Sequence, residues 1–207
     1  MTASFTPKPP LKESESGALK ARLIAAARDL LEREGLAALS LRAAARASGV
    51  SHMAPYRHFE SKDDLLAAVA EQGFRDLTRA LDDGAARPMA DESQAMATGI
   101  AYVLFALSNP SLYRLMFGPQ LQPCERFPGL IAAGAAAFAC CIAAARAEGF
   151  DCPDRDDGAP PLVAAALWSM VHGLSSLALD GMIPLPDEAS ARRAVIAQIL
   201  AVSLRPR

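Results

Sequence analysis

The sequence predicts an all-α protein, and three features of its 207 residues indicate that fold class. Ala, Leu and Arg, which favour helices, are abundant. Segments in which Val, Ile or Thr alternate with polar residues, the pattern of a strand, are nearly absent. Glycines and prolines separate the helical stretches by short connections. Apolar residues make up 52% of the chain, which is enough to bury one large core or two smaller ones.

Residues 39–62 predict two short helices joined by a tight turn. Ala43–Ala47 favours a helix, and Gly49 is expected to end it, because a residue without Cβ adopts the left-handed conformation at little cost. Ser51 is expected to cap a second helix, with Pro55 inside its first turn. Together with the preceding helix, this pattern is typical of a three-helix helix-turn-helix head, whose last helix lies in the DNA major groove.

Charge is distributed unevenly along the chain. Residues 1–62 contain ten Lys and Arg against six Asp and Glu, whereas residues 63–207 contain eleven against seventeen. A basic N-terminal part on an acidic body suggests that only the N-terminal part meets a polyanion. The positive excess is modest, so an ordinary charged surface remains the alternative on charge alone.

Residues 18–69 resemble the N-terminal domain of the TetR/AcrR transcriptional regulators. The resemblance is carried by the run LIAAARDLLEREGLAALSLRAAARASGVSHMAPYRHFESKDDLLAAV, and most specifically by YRHFESK, residues 56–62. It implies a homodimeric, effector-responsive regulator of the cytoplasm, most often a repressor. Such a protein binds a pseudo-palindromic operator in double-stranded DNA and a small-molecule effector, and it is not an enzyme.

The motif and the resemblance together give nine candidate DNA contacts. Arg42 suits a guanine edge or a phosphate, although a solvated charge is the alternative. Tyr56, His58 and Lys62 resemble the family's phosphate-contacting positions, but Tyr56 could instead pack inside the head. Met53 could touch a thymine methyl or simply be tolerated there. The full set is Ser40, Arg42, Ser51, His52, Met53, Ala54, Tyr56, His58 and Lys62.

The chain is expected to divide into three parts. Residues 1–16, polar and Pro-rich, form a disordered arm that lacks the apolar core of a signal peptide. Residues 17–62 form the DNA-binding domain, and residues 63–207 form a larger helical bundle for effector binding and dimerisation. Ser61 is expected to begin a long helix with Asp64 as its capping-box partner. The resemblance implies that this helix carries a shift of the body to the head.

Two segments without formal charge, residues 127–145 and 158–179, approach the length of a membrane span. The first is mostly Ala and Gly, and the second contains two prolines and a histidine. Helices buried in a soluble dimer explain both segments better than a membrane does. The last two helices carry apolar residues on more than one face, which predicts a homodimer joined by a four-helix interface.

A second resemblance concerns the body. WSMVHG, residues 168–173, with residues 113–117 and 179–181, is similar to the WHG-type C-terminal domain of some TetR regulators, which speaks to architecture and not to a particular effector. Aromatic and Met positions give the candidate effector contacts, although such residues are also ordinary core residues. They are Tyr102, Phe105, Tyr113, Met116, Phe117, Phe138, Trp168, Met170 and His172.

Motifs for catalysis or metal binding are not found in the sequence. It contains no G-x-S-x-G elbow, H-E-x-x-H pair, P-loop or Gly-rich phosphate fingerprint, so we expect no catalytic residue and no cofactor. The four cysteines form no C-x-x-C pair, and free thiols without a metal are expected. Two alternatives stay open: an enzyme with a helical head, and an architectural DNA-binding protein without a ligand.

Overall fold

The computed structural model describes residues 13–204, with side chains from residue 16 to residue 202. Over that range the chain is helical and has no strand, which confirms the all-α prediction. The α-helices are α1 (Glu13–Glu34), α2 (Leu41–Ala47), α3 (Lys62–Ala86), α4 (Gln94–Ser108), α5 (Pro110–Phe117), α6 (Pro128–Ala147), α7 (Leu162–Leu179) and α8 (Ala189–Leu204). Short 3-10 helices occupy Pro55–Arg57, Pro119–Leu121 and Cys124–Arg126.

The chain divides into two compact units, with the boundary along the sequence after Leu65, near the start of α3. The first twelve residues of the predicted disordered arm lie outside the described residues. Helix α1 begins at Glu13, before the expected start of the folded part at Gly17. The polar residues ahead of Gly17 carry no apolar periodicity, so the sequence pattern could not show where the helix begins.

The first unit packs α1 against α2 around a small apolar core. Its most buried side chains include Leu23, Leu31, Leu39, Ala44 and Phe59, each no more than 3% exposed. Phe59 therefore places the phenyl ring of the YRHFESK run in this core. Helix α2 has only seven residues, too few for a stable helix in isolation, so its packing in this shared core stabilises it.

Several cations hold the first unit together. The Arg22 guanidinium donates to the Ser48 carbonyl at 2.7 Å, which satisfies a free acceptor at the end of α2. The Lys62 ammonium donates to the Leu36 carbonyl at 3.2 Å. The Lys20 ammonium lies 5.9 Å from the centre of the Phe59 ring, a cation–π contact. Part of the positive charge of this unit therefore serves the fold.

The ends of α2 and α3 follow the predicted chemistry. Gly49 has φ of +67°, and the Val50 and Gly49 amides donate to the Ala45 and Arg46 carbonyls, both at 3.1 Å, as in a Schellman motif. At the start of α3, the Ser61 amide donates to Asp64 Oδ2 at 2.8 Å. The Asp64 amide donates back to Ser61 Oγ at 3.2 Å, which confirms the capping box.

The segment after Gly49 differs from the predicted α-helix. Ser51 does not cap a helix; the Ala54 amide donates to its carbonyl in a turn, and a 3-10 helix follows at Pro55–Arg57. In a helix capped by Ser51, the first i→i−4 bond would come from the amide of residue 55, and proline has none. The prediction was wrong because Pro55 is the first residue of such a helix whose amide would have to donate to a backbone carbonyl.

The second unit is organised around α4, which packs against α6, α7 and α8. Ile100 and Val103 on α4 are fully buried, as are Ile196 and Leu200 on α8. Helix α4 is capped by Ser93, whose hydroxyl accepts from the Met96 amide at 3.2 Å. The chain then bends by 107° between α4 and α5 at the Asn109–Pro110 step.

Helices α6 and α7 are long and apolar enough to cross a membrane by length and composition alone. Both instead pack on α4 in this unit. Only 33% of the apolar window of α6 and 22% of that of α7 are buried within the described chain. Leu162 and Leu177 on α7 and Val202 on α8 are 72%, 45% and 79% exposed, so these two helices leave an apolar surface uncovered.

Candidate DNA-binding surface and ligand cavity

Two arginines lie on the exposed side of α2. Arg42 and Arg46 lie four residues apart on one exposed face of the helix. Within the described part of the chain, neither side chain forms an ion pair or a hydrogen bond, in contrast to Arg22 and Lys62. A guanidinium carries five donors in a fork that matches a phosphate or a guanine edge. These two side chains are therefore available to a polyanion.

The turn after α2 presents four of the predicted contact residues to solvent. Ser51 and His52 are exposed, and Met53 and Tyr56 are 59% and 46% exposed. Tyr56 thus does not pack inside the head, which was the alternative. Because Ser51 does not cap a helix, its hydroxyl is not committed to a backbone amide and can donate elsewhere.

Ser40 and Lys62, two further predicted contact residues, each combine a structural hydrogen bond with a free donor. Ser40 caps α2 by accepting from the Ala43 amide at 3.1 Å, which leaves its hydroxyl proton free. Lys62 uses one of its three donors on Leu36. Ala54 and His58 are half-buried. Burial, together with the charges of Lys20 and Arg57, holds the pKa of His58 below its ordinary value, which favours the neutral ring.

The second unit contains a cavity of about 700 Å³. Its wall is built from α3, α4, α5, α6 and α7, together with the connections that precede α6 and α7. Five of the nine predicted effector contacts line it: Tyr102, Met116, Phe117, Phe138 and Trp168. Its volume lies in the range of small-molecule sites. Sequence patterns alone could not show this empty space beside the aromatic side chains.

The other four predicted effector residues do not line this cavity. Phe105 is buried in the core, and Met170 lines a separate void of about 30 Å³. Tyr113 and His172 hydrogen-bond to Tyr102 without lining the cavity. Helical spacing marks all of these positions as inward-facing, but it cannot separate a cavity wall from the packed core next to it.

Other residues of the wall were not predicted. Phe74 and Leu77 come from α3. Leu121, Gln122 and Cys124 come from the connection before α6, and residues 158–161 from the connection before α7. Loops with several prolines carry no periodicity, so no signal in one sequence points to their place at a cavity.

A chain of hydrogen bonds supports the inner end of the cavity. Trp168 Nε1 donates to the Tyr102 hydroxyl at 3.2 Å, and Tyr102 lies 3.2 Å from the Tyr113 hydroxyl. Tyr113 lies 2.7 Å from His172 Nδ1. Burial raises the pKa of both tyrosines and lowers that of His172, so the hydroxyls keep their protons and the imidazole is favoured in its neutral form. Tyr113 therefore donates and Nδ1 accepts.

The four cysteines are free thiols, as predicted. Burial raises the pKa of Cys141 to about 11, and burial together with Asp82 raises that of Cys140 to about 12. Both thiols are thus protonated and weakly nucleophilic at neutral pH. Among the described residues, no group of three or more His, Cys, Asp or Glu side chains is placed to hold a metal ion.

Comparisons with known proteins define the class of the chain. Residues 23–69 match the family model described as bacterial regulatory proteins, tetR family. Residues 95–199, about half of the chain, match the model described as tetracyclin repressor-like, C-terminal domain. The chain therefore belongs to the TetR family of transcriptional regulators, a family of regulators and not of enzymes. The narrower WHG-type assignment of the body stays a prediction.

Similar proteins agree with this class. The HTH-type transcriptional regulator Rv1816 of Mycobacterium tuberculosis is 33% identical over 150 residues, which span 69% of this chain and 63% of that protein. The chain thus matches less than two thirds of the length of this relative. A solved structure of a protein with unknown function from Rhodococcus sp. RHA1 is 31% identical, with a TM-score of 0.69 and coverage of 90% and 91%.

A second solved structure shows the shared fold alone. The multidrug binding protein EbrR complexed with imidazole is 21% identical, with a TM-score of 0.61, and the match covers 91% of this chain and 95% of that one. At this level of identity, the likeness carries no information on ligand or operator.

Proposed function

We propose that this protein is a ligand-responsive repressor that acts in the cytoplasm and binds a pseudo-palindromic DNA operator as a homodimer. The observation that carries the proposal is that Arg42 and Arg46 have no ion-pair or hydrogen-bond partner among the described residues and precede an exposed turn rich in hydrogen-bond donors. Membership of the TetR family supports the same function.

The division of labour at the DNA follows from the chemistry of each side chain. Arg42, Ser40, Tyr56 and Lys62 offer N–H or O–H donors to phosphate oxygens, and these contacts supply affinity without sequence information. His52, Met53 and Ala54 lie on the turn that would enter the major groove and read base edges. Met53 can contact only an apolar group such as a thymine methyl.

The dimer contact is proposed on α7 and α8. Leu162, Leu177 and Val202 expose apolar surface on these helices, and such surface is costly to leave in water. A twofold axis would bring the same surface of two copies together in a four-helix contact. Two heads would then meet successive major grooves, with half-sites on the order of 34–36 Å apart.

Control by a ligand is proposed to act through α3. Phe74 and Leu77 on this helix line the cavity, and the same helix begins at Lys62 in the DNA-binding unit, where Ser61 caps it. A ligand that repacks the side chains around Phe74 favours one position of α3 over another. The size of the response equals the difference in its affinity for the two arrangements.

Selection of bound fragments from random and genomic DNA by the purified full-length protein tests this function. We expect a recovered site with imperfect twofold symmetry, and binding that weakens steeply with salt. Recovery of no preferred sequence would favour an architectural DNA-binding protein, and no binding to any duplex at low ionic strength would contradict the proposal.

A further inference from the structure

We infer that the cavity of the second unit takes an uncharged, predominantly apolar ligand that carries aromatic or alicyclic rings, and that it rejects anions most strongly. This inference rests on the proposed function, because it treats the cavity as the effector site. It concerns the chemical class of the effector, which neither the family nor the fold specifies.

The charge of the wall is the first observation. Among the residues that the structure places on the wall there is no Asp, Glu, Lys, Arg or His. The thiol of Cys141 is also neutral, because burial raises its pKa to about 11. A charged ligand would give up its hydration and find no opposite charge in return. An uncharged ligand avoids that penalty.

The polar groups of the inner wall are already satisfied by one another. The Trp168 indole N–H is committed to Tyr102 at 3.2 Å. Because Tyr113 donates to His172 Nδ1, the Tyr102 hydroxyl donates to the Tyr113 oxygen at 3.2 Å. A ligand group that demanded a donor here would have to break this chain. The inner wall therefore offers ring surface and no free donor.

The aromatic side chains form two edge-to-face pairs on the wall. The rings of Phe74 and Phe117 lie 5.2 Å apart at 82°, and those of Phe138 and Trp168 lie 5.6 Å apart at 80°. Such arrangements present both ring faces and ring edges, which suit another flat apolar ring. They can also attract a cation, so a lipophilic cation is the competing class.

A charged segment next to the wall residues in sequence adds a bias against negative charge. Residues 151–157, which lead directly into the wall residues Gly158 and Ala159, contain four Asp and one Arg. Arg155 is itself paired with Asp157 at 2.6 Å. The net negative charge of this segment disfavours an approaching carboxylate and does not disfavour an ammonium. The expected order of affinity is neutral ligand, then cation, then anion.

Three probes that share one biphenyl scaffold test this order. They are biphenyl-4-ylmethanol, biphenyl-4-ylmethylammonium and biphenyl-4-ylacetate, each titrated into the full-length protein. Trp168 is the single tryptophan of the chain, so its fluorescence reports occupancy of the cavity directly. We expect the alcohol to bind on the order of tenfold more tightly than the acetate, with the ammonium between them.

A blocked cavity and a matched control locate the binding. A Cβ on Gly134 would lie 3.9 Å from Phe74 Cζ, so Gly134→Leu extends a side chain into the cavity beside Phe74. Ala136→Leu places the same side chain on an exposed position of α6 that does not line the cavity. We expect Gly134→Leu to abolish the fluorescence response to the alcohol and Ala136→Leu to retain it.

Three results would overturn the inference: the ammonium or the acetate binding as tightly as the alcohol, no response to any probe, or a response that survives Gly134→Leu. DNA binding of the same protein sample is measured separately by gel shift. Failure to bind DNA would contradict the proposed function, whereas a reversed order of the probes with DNA binding intact would contradict only the class of ligand.

Discussion

The Tyr113 hydroxyl lies 2.7 Å from His172 Nδ1, and this contact ties α5 to α7 beside the ligand cavity. Tyr113 is 2% exposed. The neutral imidazole must accept through Nδ1 and therefore carries its proton on Nε2. The hydrogen bond also directs the Tyr102 hydroxyl, which lies 3.2 Å from both partners. The histidine thus orders the groups that back the cavity without lining the cavity itself.

Removal of the Tyr113 hydroxyl is expected to destabilise the protein. In Tyr113→Phe, Nδ1 of His172 loses its shortest hydrogen bond and Tyr102 loses a partner, which costs about 1–3 kcal/mol of the free energy of unfolding. Urea denaturation followed by circular dichroism measures the loss. Tyr56→Phe is the control, because Tyr56 is 46% exposed and the same change should leave the stability unaltered. Equal stability of the two variants would contradict this role of Tyr113.

Acid is expected to weaken the fold through His172 and His58. Burial lowers the pKa of each histidine in the folded chain below the ordinary 6.5. Between the pKa of the folded state and that of the unfolded state, the unfolded chain therefore binds more protons than the folded one. Stability is therefore fully present above pH 6.5 and is lost as the pH falls through the lowered pKa values. Melting temperatures across this interval, compared with those of His172→Gln, measure the effect. A variant with the same pH dependence as the wild type would rule out His172 as a source.

Close packing of α3 on α5 is expected to make Gly73 intolerant of a larger side chain. A Cβ there would lie 2.8 Å from Met116 Sδ and 3.0 Å from Leu112 Cδ1, and Leu112 is fully buried. We expect Gly73→Ala to cost about 1–3 kcal/mol from overpacking. In Gly134→Ala the nearest atom is 3.9 Å away, so this control should gain up to about 1 kcal/mol from helix propensity. Thermal denaturation that ranks the two variants in the opposite order would contradict the packing.

Much of the fold could be predicted from local chemistry in the sequence. Gly49 and the Ser61–Asp64 pair set the ends of two helices through backbone conformation and capping, and these are properties of a few neighbouring residues. Ser51 shows where such reasoning fails. A single missing amide at Pro55 replaced the expected α-helix with turns and a 3-10 helix.

The candidate sites could be predicted less evenly. On α2, an exposed charge such as Arg42 can be predicted from residue type, because charged side chains are rarely buried without a partner. The cavity depends on Phe74 and Gln122, which reach it from elements far apart in the chain. Only the packed structure shows which of the inward-facing aromatic side chains border empty space.

The proposed dimer is expected to depend on the exposed apolar surface of α7. Leu177→Glu places a charge in the centre of a contact between two copies, and the cost of burying it should dissociate the dimer. Met89→Glu is the control, since Met89 is 60% exposed and lies in the connection before α4. Sedimentation equilibrium gives the mass of each variant. A Leu177→Glu variant with unchanged mass would place the dimer contact elsewhere.

The salt dependence of operator binding tests the central claim most directly. Arg42→Ala and Arg46→Ala are compared with Arg87→Ala as the control. Arg87 is an exposed cation of the second unit, so its substitution changes the net charge by the same amount. We predict that each α2 variant lowers affinity and reduces the slope of log affinity against log salt by about 1, as loss of one phosphate contact requires. Arg87→Ala should match the wild type. Unchanged affinity and slope for both α2 variants would contradict a DNA-binding surface on that helix.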